Sequence, residues 1–111
     1  MSNIMEAVED SVRANDFIIL RNCFGRFDVT LKLEGMNFAE SIKLRTAKAL
    51  VNYAEENLGL KKNKRFIESS SGNLGVALSM IAASRGYEFI CIVDPNTNAT
   101  NIAIMKAMGA N

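Results

Sequence analysis

Between residues 65 and 85 the chain passes from a short strand candidate, Arg65–Ser69, through Ser69-Ser70-Ser71-Gly72 into a helical stretch that is apolar on two sides. Leu74, Ala77, Leu78 and Ile81 mark one side, and Val76, Met80 and Ala83 the other. A helix of this kind needs cover on both sides, which a sheet and a further layer supply. The flanking sequence extends the pattern. Phe17–Leu20 and Val29–Leu33 are strand candidates separated by the turn formers Asn22, Gly25 and Asp28, and the second alternates as a half-buried strand should. A loop over 34–38 leads into a helical stretch from about Ser41 to Asn57. Its apolar residues Leu44, Ala47, Leu50, Val51, Ala54 and Leu58 recur at three and four, and Gly59 suits the C-cap. Gly86 closes the second helix, Phe89–Val93 is an apolar strand stopped by Pro95, and Ala99–Met108 forms a last helix before Gly109. From the second strand onward the order is β-α-β-α-β-α. That order predicts an α/β fold, a small parallel sheet flanked by helices.

The 111 residues suit a single lobe, 1–111, with residues 1–10 as a flexible or helical lead-in. Three or four strands make a small sheet, and the chain reaches Asn111 where such a fold enters its next strand. The expectation is therefore one lobe of something larger. Thirteen Lys+Arg against 12 Asp+Glu leave a net charge of +1, no footprint for nucleic acid or an anionic membrane. No apolar run approaches the ~18 residues of a membrane span, and Met1–Val12 lacks the basic and apolar regions of a secretory signal, so the expected location is cytoplasmic. The chain has no histidine, which excludes His-based triads and zincin motifs. Cys23 and Cys91 form no CxxC, and Cys91, inside an apolar strand, reads as an inert thiol. No metal site is expected. Chemistry here must use Lys, Ser, Asn, carboxylates or a cofactor.

Two places are candidates. Lys43 lies roughly 50° from the centre of the first helix's apolar stripe at ~100° per residue, which puts it at the edge of the buried face. It also falls in the first turn, where the helix dipole disfavours a cation. Desolvation and that dipole both favour a neutral amine, the nucleophile of Schiff-base chemistry. The competing reading is a lysine snorkelling beside the core. The second place is Ser69–Gly75, at the C-terminal end of a strand and the start of a helix, where open α/β sheets bind ligands. Unpaired N–H groups there favour a carboxylate or phosphate, and Gly72 and Gly75 are expected to let a ligand approach the backbone. Its competing reading is an ordinary Ser/Asn N-cap. It matches neither GxGxxG nor a P-loop.

The two places fall inside a longer pattern. Leu31-Lys32-Leu33-Glu34, Asn37 and Ser41-Ile42-Lys43-x-Arg45 resemble the cofactor-lysine segment of cysteine-synthase-like pyridoxal-phosphate enzymes of fold type II. Ile67–Leu78 is similar to their asparagine loop and its helix, and Gly86-Tyr87, Val93-x-Pro95 and Met108-Gly109-Ala110 to their later landmarks. Gly72-Asn73-Leu74-Gly75, Ile92–Thr97 and Leu44 after the lysine look most like the siderophore-type branch, which uses O-phospho-L-serine and glutamate to make a precursor of 2,3-diaminopropionate.

The resemblance implies a three-layer α/β/α lobe and a pyridoxal 5'-phosphate cofactor, bound weakly by this chain alone. It implies Lys43 as the catalytic, cofactor-binding lysine and Asn73 as the donor to the cofactor's 3-hydroxyl. Ser70, Ser71, Gly72, Asn73 and Leu74 would hold the substrate carboxylate. The reaction implied is β-replacement: elimination from an O-activated serine, then addition of an amine or thiol. Partners would be a small amino-acid substrate and the C-terminal remainder of the enzyme or a complementary chain, in a homodimer. The chain departs from the family pattern at Phe38, where proline is usual, at Glu40, where glycine is usual, and at Leu44, where aspartate is common. Leu74 replaces a hydroxyl residue of cysteine synthases, and Arg13–Asp16 stands in for an early Gly-x-Thr-Pro. The family's phosphate cup lies downstream of the segments matched here, so a non-catalytic amino-acid-binding or assembly module is the alternative reading.

Overall fold

The computed structural model describes residues 4–111; Met1–Asn3 of the expected lead-in lie outside the described residues. A single 3₁₀ turn, Val8–Ser11, precedes β1 (Phe17–Cys23) and β2 (Phe27–Lys32). Then come α1 (Lys43–Asn57), β3 (Arg65–Ser69), α2 (Asn73–Arg85), β4 (Glu88–Ile92) and α3 (Ala99–Ala107). The mixed α/β architecture agrees with the expectation. The sheet is smaller than expected.

β2 does not join a parallel sheet. It pairs antiparallel with β1, Phe17 opposite Lys32 through Leu20 opposite Val29, and the register breaks before Cys23 meets Phe27. Asn22 (φ 54°), Phe24 (φ 56°) and Gly25 (φ 69°) all take the left-handed conformation, so a tight turn folds the two strands back on each other. Asp28 holds the irregularity, accepting from the Asn22 N–H at 2.9 Å and the Arg21 guanidinium at 2.9 Å. Phe17, Ile18, Ile19, Leu20, Phe27 and Leu31 remain exposed along the ribbon.

β3 and β4 form the parallel pair, Arg65 opposite Glu88 through Ser69 opposite Ile92. Asn111 adds the first step of another parallel pairing on the far side of β4. Its N–H donates to the Phe89 carbonyl at 3.0 Å, and its own carbonyl accepts from the Cys91 N–H at 2.9 Å.

The core gathers Leu44, Ala47 and Val51 of α1, Ala77, Leu78, Ile81 and Ala82 of α2, and Phe89 of β4. The doubly apolar α2 is its centre. Gly75 through Ser79 is buried without a break, and even Ser79 is satisfied, donating to the Val76 carbonyl at 2.7 Å. The α1 stripe is only half used, because Leu50 and Leu58 stay exposed and line an open hollow with Phe66 and Ile67 of β3. Gly86 (φ 75°) ends α2, which lets the Tyr87 N–H reach back to the Ala82 carbonyl at 2.9 Å.

Candidate functional site

α1 and α2 run in the same direction. Near their C-terminal ends Glu55 of α1 accepts from Arg85, the last residue of α2, at 2.8 Å and from the Tyr87 hydroxyl at 2.7 Å. Toward the other end Leu44 and Ala47 share the core with Ala77 and Leu78. Lys43 and Asn73 are the first residues of these helices, so both stand at the end of the lobe where β3 hands over to α2.

Lys43 is exposed, and the desolvation expected from the helical wheel is absent. The wheel position is right, since Leu44 and Ala47 next to it are wholly buried, but the Lys43 side chain itself lies in solvent. α1 also lacks a side-chain cap on its N-cap, Ile42; the Lys43 N–H instead reaches the Ser41 hydroxyl at 3.3 Å.

The loop that delivers Lys43 is built around Asn37. Its amide donates to the Glu34 and Ser41 carbonyls, each at 2.8 Å, and its oxygen accepts from the Ala39 N–H at 2.9 Å. Glu40 sits in this loop with φ 51°, a conformation that disfavours a side chain.

At the start of α2 the serines divide their work. The Ser70 hydroxyl accepts from the Gly75 N–H at 2.9 Å and the Gly72 N–H at 3.4 Å, so it acts as the helix cap. Ser71 and Asn73 are exposed, and Leu74 is half-buried. Among the described residues, the N–H groups of Ser71, Asn73 and Leu74 meet no acceptor. A Cβ at Gly72 would meet nothing within 4 Å, so the space beside these donors is open. Gly75 differs from the expectation. A Cβ there would lie 2.8 Å from the Met105 sulfur, 3.0 Å from the Cys91 sulfur and 3.3 Å from the Ser70 carbonyl. Its lack of a side chain serves the packing of α2 against β4 and α3, not access for a ligand. Cys91 is half-buried in β4, less enclosed than a core thiol. Burial above all pushes its thiol upward, and it donates to the Ser70 carbonyl at 3.3 Å.

A primary amine and a side-chain amide at one end of the lobe can engage the aldehyde and the ring hydroxyl of a cofactor such as pyridoxal phosphate, and the open backbone donors beside them suit a carboxylate. The donor set fits that cofactor. No hydrogen bond joins Lys43 to the 69–74 loop among the described residues, so the two halves face a common end without touching. No group of three or more carboxylates or thiols gathers as a metal site among the described residues. No described helix is long and apolar enough to cross a membrane.

Residues 17–111 match the family model of the pyridoxal-phosphate dependent enzymes. Among solved structures the chain is similar to a hydrogen sulfide-producing enzyme from Fusobacterium nucleatum, at 27% identity and a TM-score of 0.89, over 100% of this chain and 37% of that one. It is similar to cysteine synthase from Entamoeba histolytica, at 27% identity and a TM-score of 0.87, over 98% and 34%. It is also similar to O-ureido-L-serine synthase, at 28% identity and a TM-score of 0.84, over 97% and 34%. The chain thus spans about a third of the length of these proteins.

Proposed function

The chain belongs to the pyridoxal-phosphate dependent enzymes, and from that premise we propose that it supplies the lysine and carboxylate-binding part of an amino-acid β-replacement active site. One observation carries the reading. Lys43 and the unpaired donors of Ser71, Asn73 and Leu74 stand at the same end of two helices that run in the same direction.

Pyridoxal phosphate, when bound, supplies the electron sink for chemistry at the amino acid's α-carbon. The chain's own residues do the rest. Lys43 Nζ would hold the cofactor through its aldehyde and would carry the substrate's α-proton. The Asn73 side chain would donate to the cofactor's ring hydroxyl. The N–H groups of Asn73 and Leu74, with Ser71, hold the substrate carboxylate, as the N-terminus of a helix holds an anion. Ser70 contributes by fixing the loop, since its oxygen is engaged by Gly72 and Gly75.

The substrate we favour is O-phospho-L-serine with glutamate as the incoming nucleophile, the siderophore-type reaction. Leu74 supports it, because no hydroxyl is available there for an O-acetylserine-type contact, and so do Gly72–Gly75 and Ile92–Thr97. The working enzyme is read as a cytoplasmic homodimer in which 1–111 forms one lobe and a C-terminal portion or complementary chain brings the phosphate cup. Two unpaired cysteines suit a reducing compartment.

The test is turnover by the protein as its gene encodes it, loaded with pyridoxal phosphate. Release of phosphate from O-phospho-L-serine that depends on glutamate supports the proposal, and its loss in Lys43→Ala assigns the lysine. Binding of the amino acid without turnover would favour the non-catalytic module instead.

A further inference from the structure

The segment before β1 lies along the loop that delivers Lys43, tied at two places to the loop and at two to the residues that flank it, Lys32 and Arg45. The Ser11 hydroxyl accepts from the Phe38 N–H at 3.2 Å and donates to the Val8 carbonyl at 2.7 Å. The Arg45 guanidinium reaches the Arg13 carbonyl at 3.1 Å, and the Lys32 ammonium reaches the Ala14 carbonyl at 2.6 Å. The Leu33 N–H donates to the Asp16 carbonyl at 2.9 Å. Arg45 also holds Glu34 at 3.2 Å, and so bridges the segment to the start of the loop.

The other end of the segment is anchored in the helical core. Glu9, only 4% exposed, accepts from the Arg85 guanidinium at 2.6 Å, and Arg85 in turn holds Glu55 of α1. The second Glu9 oxygen is buried without a partner, so this carboxylate is committed to Arg85 alone. Ser11, 6% exposed, follows two residues later, and its hydroxyl is the link that touches the middle of the loop.

We infer that Ser11 is a positioning residue for Lys43, holding loop 33–42 against a strap whose other end is clamped by Glu9 and Arg85. The inference rests on the cofactor reading above for its consequence, and on the hydrogen bonds alone for its geometry. Ser11 touches neither substrate nor cofactor. It acts through Phe38, whose N–H it fixes in the turn that precedes Ser41 and Lys43.

The experiment compares wild type, Ser11→Ala and Ser11→Thr by amide hydrogen exchange and by the rate at which added pyridoxal phosphate gains its Lys43-dependent visible absorbance. Ser11→Ala is expected to speed exchange at Phe38 and Glu40 by roughly fivefold to tenfold, the worth of one hydrogen bond. The Ile81 amide in the core should be unchanged. The absorbance should form more slowly in Ser11→Ala, and Ser11→Thr, which keeps the hydroxyl, should restore both readouts. Unchanged exchange at Phe38, or an equal rise at Ile81, overturns the strap. Faster exchange with an unchanged rate overturns the positioning role. If wild type shows no Lys43-dependent absorbance, the cofactor reading fails while the exchange data still decide the strap. Should Ser11→Ala unfold the chain, Glu9→Gln, which loosens the clamp and leaves the hydroxyl, must raise exchange at Phe38.

Discussion

The Ser70 hydroxyl oxygen accepts the backbone N–H of Gly75 at 2.9 Å, five residues further along the chain. This one contact joins the local structure to the proposed chemistry. It closes the turn at the start of α2 and leaves the donors of Ser71, Asn73 and Leu74 open. Removing it with Ser70→Ala should cost about 1 kcal/mol, the usual worth of a helix N-cap, measured by urea unfolding. Ser71→Ala, at an exposed residue whose hydroxyl caps nothing, should change stability by less than about 0.5 kcal/mol.

The two glycines of the same loop should respond in opposite ways. Gly75→Ala forces a methyl against Met105, Cys91 and the Ser70 backbone, a clash of about 1–3 kcal/mol by the usual cost of overpacking. The helix-propensity gain of alanine, about 1 kcal/mol, offsets only part of it. Gly72→Ala enters open space with extended backbone and should leave the unfolding midpoint nearly unchanged.

Glu40 is held at φ 51° in the loop before Lys43. Glu40→Gly removes a left-handed strain of about 1–2 kcal/mol and adds unfolded-state entropy of about 0.4–1 kcal/mol. The net expectation is a stabilisation of roughly 0.5–1 kcal/mol, read as a rise in the thermal midpoint.

Acid should weaken the Glu55 cluster. The Tyr87 hydroxyl, and after it Arg85, hold the Glu55 carboxyl below its ordinary value of 4.5. A carboxyl lowered in the folded state stabilises it above the ordinary value, and that contribution is lost as pH falls through the lowered one. Tyr87→Phe should therefore be less stable than wild type at neutral pH by about 1 kcal/mol. The gap should narrow once the pH drops below 4.5. Urea midpoints from pH 7 to pH 3 would show it.

The order of elements from α1 onward was legible in the sequence because each carries local signals. The Ser70–Gly72 cap and Gly86 sit where turn and cap chemistry place them. The β1–β2 pairing was not legible as antiparallel, since the βαβα alternation drew β2 toward a sheet it never joins. The exposure of Lys43 has no sequence signal, because a helical wheel gives an angle and not the neighbour that would cover it. Gly75 looked like an access point because its close contacts come from Cys91 and Met105, distant in sequence. The Glu9–Arg85 clamp had no sequence signal at all. Its partners are 76 residues apart, and a lone Glu and a lone Arg look like surface charges until the chain folds.

The most direct test of the account is to ask which lysine takes the cofactor. The protein is equilibrated with pyridoxal phosphate, reduced with borohydride and digested, and the pyridoxyl-bearing peptides are identified by mass spectrometry. The label is expected on Lys43, with weaker labelling of Lys43 when Asn73 is replaced by alanine. Label spread over Lys61, Lys62 and Lys64 of the exposed basic turn, with Lys43 unmarked, would contradict it.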